Sequence, residues 1–194
     1  MSESEMTVNM AFFPRSEANA VNPQMTAEAA LAERARSGDR EAFDNLHRRF
    51  APLVHGVILA RVRRDDVDDL VQEVFMSAYK NLHALRDCNA VGAWLVMIAR
   101  NRATEFYRQA KFVEELPEDL ARNDRPRAEA KEILSVIRAL PESYRETLVL
   151  RLVEGMTGAE IAERIGLTPE SVRVNLHRGM KMLRERLGII GVRK

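Results

Sequence analysis

The chain has 194 residues, of which 46% are hydrophobic and 30% charged, and its formal net charge is +1; this composition supports packed cores in one or two small domains rather than extended disorder. No apolar run approaches the roughly 18 to 20 residues that cross a bilayer, and residues 1–25 carry acids where a signal peptide carries bases. A single cysteine, Cys88, excludes an internal disulfide, so we expect a cytoplasmic protein that does not insert into a membrane.

The N-terminal part of the chain divides into an arm and a helical domain. Residues 1–25 contain two prolines and show no sustained helical period, which predicts a flexible arm. Residues 26–110 hold four helical patterns and no β-branched alternation typical of a strand. The first runs from Ala27 to Ser37, Asp39 caps the second, Asp65 or Asp66 caps the third, and the fourth runs from about Ala90 to Gln109.

A change in composition separates this domain from a second one. Residues 111–127 hold two prolines and dense charge of both signs, which predicts a linker. Residues 128–194 then show four more helical patterns, at about 128–139, 142–154, 158–165 and 169–187. The sequence therefore predicts an all-α fold of two small helical domains joined by a flexible linker.

The last two of these helices carry the capping signals of a helix-turn-helix. Thr157 and Glu160 have the spacing of a capping box, Gly166 is placed to end the first helix, and Thr168 followed by proline begins the second. Two helices joined by so short a turn are typical of a DNA-binding helix-turn-helix.

The second helix of this pair has a basic outer face. Its apolar stripe leaves polar and basic side chains pointing outward, and residues 156–194 hold eight Lys or Arg against four Asp or Glu, a local net charge of +4. Such a face suits the DNA major groove, where Arg and Asn pair with base edges. A solvated face on an ordinary bundle helix is the alternative. The candidate reading residues are Ser171, Arg173, Val174, Asn175, His177, Arg178 and Lys181.

Three segments of the chain resemble parts of one bacterial family. The segment LPESYRETLVLRLVEGMTGAEIAERIGLTPESVRVNLHRGMKMLRERL resembles the −35 promoter-reading domain of extracytoplasmic-function (ECF) sigma factors. The segments DDLVQEVFMSAYKNL and WLVMIARNRATEFYRQ resemble the other domain of that family, in the same order. The resemblance implies an alternative sigma factor that binds core RNA polymerase, recognises −10 and −35 promoter elements and initiates transcription of a stress or signal regulon. It places sigma region 2 at residues 26–110 and sigma region 4 at residues 128–194.

The resemblance also assigns roles within the first domain. Asp69, Gln72 and Glu73 share the face of the third helix opposite its apolar stripe, and family members use this face to dock on the clamp helices of the polymerase's largest subunit. In the family, the loop HALRDCNAV and the start of the following helix capture a base flipped from the −10 element, which requires a polar pocket. The candidates for that pocket are Arg86, Asp87, Asn89 and Asn101, and we expect Asn101 to be partly buried at the edge of the apolar stripe.

Further partners implied by the resemblance are the flap of the polymerase's second-largest subunit, promoter DNA and an inhibitory anti-sigma factor. No cofactor or metal is implied. The sequence shows no glycine-rich phosphate loop, no metal-ligand spacing and no nucleophile with a neighbouring base, which argues against an enzyme. One alternative stays open: a helix-turn-helix transcriptional regulator whose helical N-terminal domain senses a ligand or dimerises, and which binds duplex DNA without polymerase.

Overall fold

The computed structural model describes residues 26–110 and 125–188, and every regular element within these ranges is a helix. The predicted arm, residues 111–124 of the predicted linker and residues 189–194 lie outside the described part. The α-helices are α1 (Ala27–Arg36), α2 (Arg40–Leu59), α3 (Val67–Asn81), α4 (Val91–Ala110), α5 (Arg125–Arg138), α6 (Glu142–Leu152), α7 (Gly158–Ile165) and α8 (Pro169–Arg186). The all-α prediction is confirmed, and α5 begins three residues before the predicted domain boundary at 128.

The N-terminal domain is built around α2, which packs against α1, α3 and α4. Asp39 caps α2 as the sequence predicts, because its carboxylate accepts a hydrogen bond from the Ala42 N–H at 3.0 Å. The apolar stripe of α2 is buried at these positions: Leu46, Phe50, Leu53, Val54, Val57 and Ile58. Burying side chains of this size contributes about 1.5–3 kcal/mol each relative to leaving them exposed, so this stripe is a main source of the domain's stability.

The start of α3 differs from the sequence prediction. Neither Asp65 nor Asp66 caps the helix with its side chain; the two residues lie in a single 3-10 turn, Arg64–Asp66, that leads into α3. A capping side chain reaches the first amides when its own backbone is extended, whereas Asp66 has φ −97° and ψ −3°. The two carboxylates still lie near the positive end of the helix dipole, where negative charge is favourable.

In the C-terminal domain, α6 is the central helix and is buried on more than one side. Helices α5, α7 and α8 of its own domain pack against it, and so does α2 of the N-terminal domain. Residues 146–150 are consecutive and all buried. Gly179 allows α8 to approach α6 closely, since a Cβ at this position would lie 3.0 Å from Leu148 Cδ1.

The two domains pack directly against each other, α2 against α6 and α4 against α7. The domains approach closely at Gly56, where an added Cβ would lie 2.7 Å from Leu150 Cδ2 and 2.9 Å from Glu154 Cγ. Between α2 and α7, the Arg164 guanidinium lies over the Phe50 ring, 5.2 Å from its centroid. Across residues 26–110 and 125–188, no helix combines the length and apolar character that a bilayer span needs.

Candidate nucleic-acid and partner interfaces

Helices α7 and α8 form the predicted helix-turn-helix, with a structural counterpart for each local signal. The Glu160 N–H donates to the Thr157 hydroxyl at 3.2 Å, and the Thr157 N–H donates to the Glu160 carboxylate at 2.7 Å, which completes the capping box. Gly166 ends α7 with φ 72°, a left-handed conformation that glycine adopts readily. The Thr168 hydroxyl accepts from the Ser171 N–H at 3.1 Å, which begins α8 with a proline in its first turn.

The outer side of α8 is basic and polar. Its predicted reading residues are exposed at Ser171, Arg173, His177, Arg178 and Lys181 and partly exposed at Val174 and Asn175. Four of them line one shallow depression: Arg173, Val174, His177 and Arg178. The Arg173 guanidinium donates to the Glu170 carboxylate at 2.6 Å, in a pair whose side chains are 77% and 66% exposed. The outer face of α8 is therefore open to a ligand, although the Glu170 carboxylate pairs with one of its cations, Arg173.

The loop between α3 and α4 is held against α1 by contacts that the sequence did not predict. Arg36 donates to the Leu85 carbonyl at 3.1 Å and to the Glu33 carboxylate at 2.7 Å, and the Cys88 thiol donates to the same carboxylate at 3.2 Å. The hydrogen bond from Arg36 lowers the pKa of Glu33, while burial raises the pKa of the Cys88 thiol. These bonds fix the backbone on both sides of the exposed part of the loop.

The predicted −10 residues of this loop are all exposed. Asp87 has a structural role, because its carboxylate accepts the Asn89 N–H at 2.9 Å and caps the 3-10 turn Cys88–Ala90. Arg86 and the Asn89 side chain lie beside it on the surface. The loop therefore presents one cation, one carboxylate and one amide to a ligand.

Asn101 is exposed on α4, so the prediction that it is partly buried is wrong. Ala99 and Ala103 face the core, and a residue midway between them on a helix of 3.6 residues per turn points to the opposite side. Asn101 lies ten residues beyond Val91, which is about 15 Å along the helix axis. Its amide therefore needs no partner within the protein.

The predicted polymerase-docking residues on α3 do not all share one environment. Asp69 and Gln72 are exposed, as expected of a docking face. Glu73 is half-exposed and accepts a hydrogen bond at 2.5 Å from Arg102 of α4. This carboxylate, predicted as part of an open face, therefore also braces α3 against α4, and Arg102 has a raised pKa because of the bond.

An ionic cluster lies where the two domains meet. The Glu146 carboxylate of α6 accepts a hydrogen bond from Arg61 at 2.5 Å and two from Arg100 of α4, at 2.6 and 3.2 Å. Arg61 also donates to Glu142 at 2.6 Å, and its carbonyl accepts the Tyr107 hydroxyl at 2.5 Å. The side chains of Glu146 and Arg61 are 4% and 6% exposed, so the cluster is closed off from water at its centre.

A second charged contact joins α2 to the end of α6. His55 Nδ1 lies 2.6 Å from the Glu154 carboxylate, and this bond raises the pKa of His55 although partial burial opposes the shift. Weaker charge effects come from Asp68, which also raises the pKa, and from Arg64, which lowers it. Protonation of His55 therefore strengthens its contact with the other domain.

Comparison with known proteins shows similarity over both domains. The Sigma-70 region 2 family matches residues 46–113 and the Sigma-70 region 4 family matches residues 130–183. The RNA polymerase sigma factor CarQ of Myxococcus xanthus is 32% identical over 165 residues, which cover 80% of this chain and 95% of CarQ. The chain belongs to the ECF family of sigma factors. The RNA polymerase sigma factor CnrH of Cupriavidus metallidurans is also 32% identical, over 84% of this chain and 95% of CnrH.

The fold is likewise that of a sigma factor. The solved structure of CnrH in complex with the cytosolic domain of CnrY matches with a TM-score of 0.62 at 27% identity, over 86% of this chain and 100% of the CnrH chain. The sigma factor RpoE of Bartonella quintana, solved with the anti-sigma factor NepR, has the same fold at 20% identity, with a TM-score of 0.53 over 77% of this chain and 98% of that chain. The protein is thus an alternative sigma factor, whose partners are RNA polymerase and promoter DNA.

Sequence reasoning missed the arginines that join helices or domains in this sigma factor. Arg61, Arg100 and Arg102 all occur in charged segments, where a solvated face is the ordinary expectation. Their partners are distant in sequence: Glu146 lies 85 residues from Arg61 and 46 from Arg100. Spacing along one helix gives no signal for such pairs.

Proposed function

We propose that three surfaces of this sigma factor divide the work of promoter recognition. The exposed face of α3 docks on the clamp helices of the polymerase's largest subunit, the α3–α4 loop with α4 holds the −10 strand, and α8 reads the −35 element. The observation that carries this proposal is the exposed basic face of α8 on a fully capped helix-turn-helix. The protein acts by binding, with no catalytic step of its own, in the cytoplasm where polymerase and promoter DNA meet.

On α8, the two arginines and their neighbours suit direct reading of the major groove. Arg173 and Arg178 pair with guanine or with phosphate, Asn175 pairs with adenine, and Val174 contacts a thymine methyl group. Ser171, His177 and Lys181 flank them on the same outer face and add contacts to bases or to the backbone. The rigid turn supports this role, because it fixes the angle at which α8 enters the groove.

On the N-terminal domain, an exposed loop on a fixed backbone suits capture of an unpaired base. Arg86, Asp87 and Asn89 offer donors and acceptors for the base edge, and Asn101 contacts the strand farther along α4. The contacts of α1 to Leu85 and Cys88 support this role, because a pocket held in place before binding loses less entropy when it binds.

The polymerase contacts follow from charge and apolar exposure. Asp69 and Gln72, with Glu73 at the edge, present an acidic face to the clamp helices. A groove between the end of α6 and α8 is lined by Leu152, Leu176 and Met180, with arginines at its rim; it suits the flap of the second-largest subunit, since exposed apolar grooves mark partner sites.

We also propose that an anti-sigma factor holds the protein inactive until a signal releases it. Support comes from CnrH, a relative of similar size that was solved in complex with the cytosolic domain of another protein, CnrY. The exposed face of α3 and the groove beside α8 are the surfaces for such an inhibitor, because covering them would block polymerase binding.

Reconstituted transcription tests the proposal. Purified protein is mixed with core RNA polymerase and a library of promoters randomised around −10 and −35, and transcripts are sequenced. We expect a stable holoenzyme and transcripts enriched for defined sequences at both positions. A protein that binds duplex sites tightly on its own but forms no complex with core polymerase would contradict the proposal and support the regulator alternative.

A further inference from the structure

The buried carboxylate of Glu146 occupies a site made by the other domain. Arg61 comes from the turn that follows α2, Arg100 comes from α4, and Glu146 comes from α6 of the C-terminal domain. Arg100 grips the carboxylate with two donors, Nη2 at 2.6 Å and Nε at 3.2 Å, while Arg61 adds a third bond at 2.5 Å. When the domains separate, Glu146 leaves and the two arginines lose their shared anion.

Two guanidinium groups that converge on one anion have the chemistry of a phosphate site. The planar donor fork of arginine matches carboxylate and phosphate oxygens alike, and both are held by parallel charge-assisted hydrogen bonds. Arg61 is oriented within its own domain, since Nη1 donates to the Val57 carbonyl at 2.9 Å. Part of the site is therefore held in place by the N-terminal domain itself.

The position of Arg100 on α4 places this site on the surface that we assign to the −10 strand. At 100° per residue, Arg100, Asn101, Thr104 and Arg108 fall within one arc of about 100° around the helix. Asn101, Thr104 and Arg108 are exposed, and the Arg100 side chain is 40% exposed even with Glu146 bound. A strand that contacts Asn101 would thus run beside Arg100.

The packed arrangement also conflicts with reading both promoter elements at once. The −10 and −35 elements are about 25 base pairs apart, which is roughly 85 Å at about 3.4 Å per base pair. In the structure α7 packs against α4, and α8 against α7, so that α8 lies within about 20 Å of α4 at helix spacings of about 8–10 Å. The domains must therefore separate when a promoter is read.

We propose that Glu146 is an internal mimic of a DNA phosphate: in the packed form it fills an anion site made by Arg61 and Arg100, and domain separation opens that site to a backbone phosphate of the −10 strand. The sigma factor thereby masks part of its own DNA-binding surface until polymerase draws the domains apart. This inference rests on the assignment of the −10 strand to α4.

The test compares binding of a fluorescent ten-nucleotide single strand to the full-length protein without polymerase. Glu146→Gln keeps the shape and removes the charge, which leaves Arg100 without its carboxylate and Arg61 paired with Glu142 alone, so we expect about tenfold tighter binding. The slope of log affinity against log salt should steepen by about 0.7, because the one phosphate held by the two arginines contributes about 0.7 on a single strand. Adding Arg100→Ala to Glu146→Gln should abolish most of the gain.

Two further variants separate this effect from general charge and from misfolding. Glu132→Gln makes the same charge change at an exposed position on α5 and should leave affinity within about twofold. Gly56→Gln keeps Glu146 but places a side chain where Leu150 and Glu154 now pack. Glutamine favours a helix more than glycine does, so α2 itself should stay folded. This variant should separate the domains, seen as a larger radius of gyration, and should also bind the strand more tightly than the parent does.

Two results would overturn the proposal. One is that Glu146→Gln and Gly56→Gln bind the strand no better than Glu132→Gln does; the other is that the gain survives Arg100→Ala. Holoenzyme assays on a forked −10 template distinguish this failure from failure of the proposed function. If the parent transcribes normally and Asn101→Ala is defective but Arg100→Ala is not, only the phosphate site is rejected. If Glu146→Gln misfolds, the affinity of Gly56→Gln for the strand decides the test.

Discussion

The pair of Arg173 and Glu170 on α8 allows the reading function to be tested in both directions. Arg173→Ala removes a cation from the reading face, while Glu170→Gln frees the same cation from its carboxylate. The two side chains are 77% and 66% exposed, so their ion pair is worth at most about 1 kcal/mol. A bidentate arginine–guanine contact is worth about 1–3 kcal/mol of discrimination, so promoter DNA outcompetes Glu170 for Arg173.

The magnitudes follow from this competition. In the parent, Arg173→Ala removes the bond to DNA but no longer has to break the ion pair; if that pair is worth its full value of about 1 kcal/mol, the net loss is about 0–2 kcal/mol, or up to roughly 30-fold in affinity. Glu170→Gln should tighten binding by up to about fivefold, since 1 kcal/mol is the most that the pair retains. With Glu170→Gln already present, Arg173→Ala should cost the full value of about 1–3 kcal/mol.

The assay is competition binding of reconstituted holoenzyme to a promoter obtained from the library, repeated at several salt concentrations. Glu132→Gln on α5 is the matched control for removing one negative charge from the same domain. If Arg173 pairs with a base, its removal should relax preference at one −35 position, whereas if it pairs with a phosphate, its removal should lower the salt slope by about 0.9. Unchanged affinity for both Arg173→Ala and Glu170→Gln would refute the assignment of α8 as the reader.

Three further predictions concern the other surfaces. Asp69→Lys should weaken core-polymerase binding at least roughly tenfold in a pull-down titration without lowering the melting temperature. This variant is easier to interpret than one at Glu73, which would also break the bond to Arg102. Equal affinity of Asp69→Lys and the parent for core polymerase would reject the α3 face as the docking surface. Asn101→Ala should slow promoter opening roughly fivefold, the value of about one hydrogen bond, and less on a template with a mismatched −10 region; equal defects on both templates would exclude strand capture. Glu154 raises the pKa of His55, so this pair stabilises the packed form fully below the ordinary His pKa of about 6.5, and the stabilisation disappears as pH rises through the raised pKa. Energy transfer between dyes on the two domains should therefore fall from pH 6 to pH 8. The same fall in the Glu154→Gln variant would rule out this pair.

Local signals in the sequence predicted the helix-turn-helix well. The capping box at Thr157, the left-handed Gly166 and the cap at Thr168 depend on residues no more than four positions apart. Their hydrogen bonds form within one turn of chain, so the sequence contains all the required partners. The same reasoning predicted the Asp39 cap and the buried stripe of α2.

Prediction was weaker where a residue's surroundings come from another element. Asn101 was predicted to be partly buried at the edge of the apolar stripe of α4, but the core lies on the side of Ala99 and Ala103. Glu73 was predicted to lie on an open face, but Arg102 of α4 reaches it. Helical spacing defines which residues share a face, and only the packing of α3 against α4 decides what that face meets.

The sequence by itself determined the helices, their order, the two-domain division and the family, because these depend on periodicity, caps and motifs that are local in the chain. The tertiary structure alone decided that the domains pack together and that Glu146 is buried between Arg61 and Arg100. Residues 146–150 of α6 are buried without a one-sided apolar pattern, since α2 covers a face that the C-terminal domain leaves open. A contact between residues 46 or 85 positions apart depends on how whole helices pack, and no spacing within one segment of the sequence indicates it.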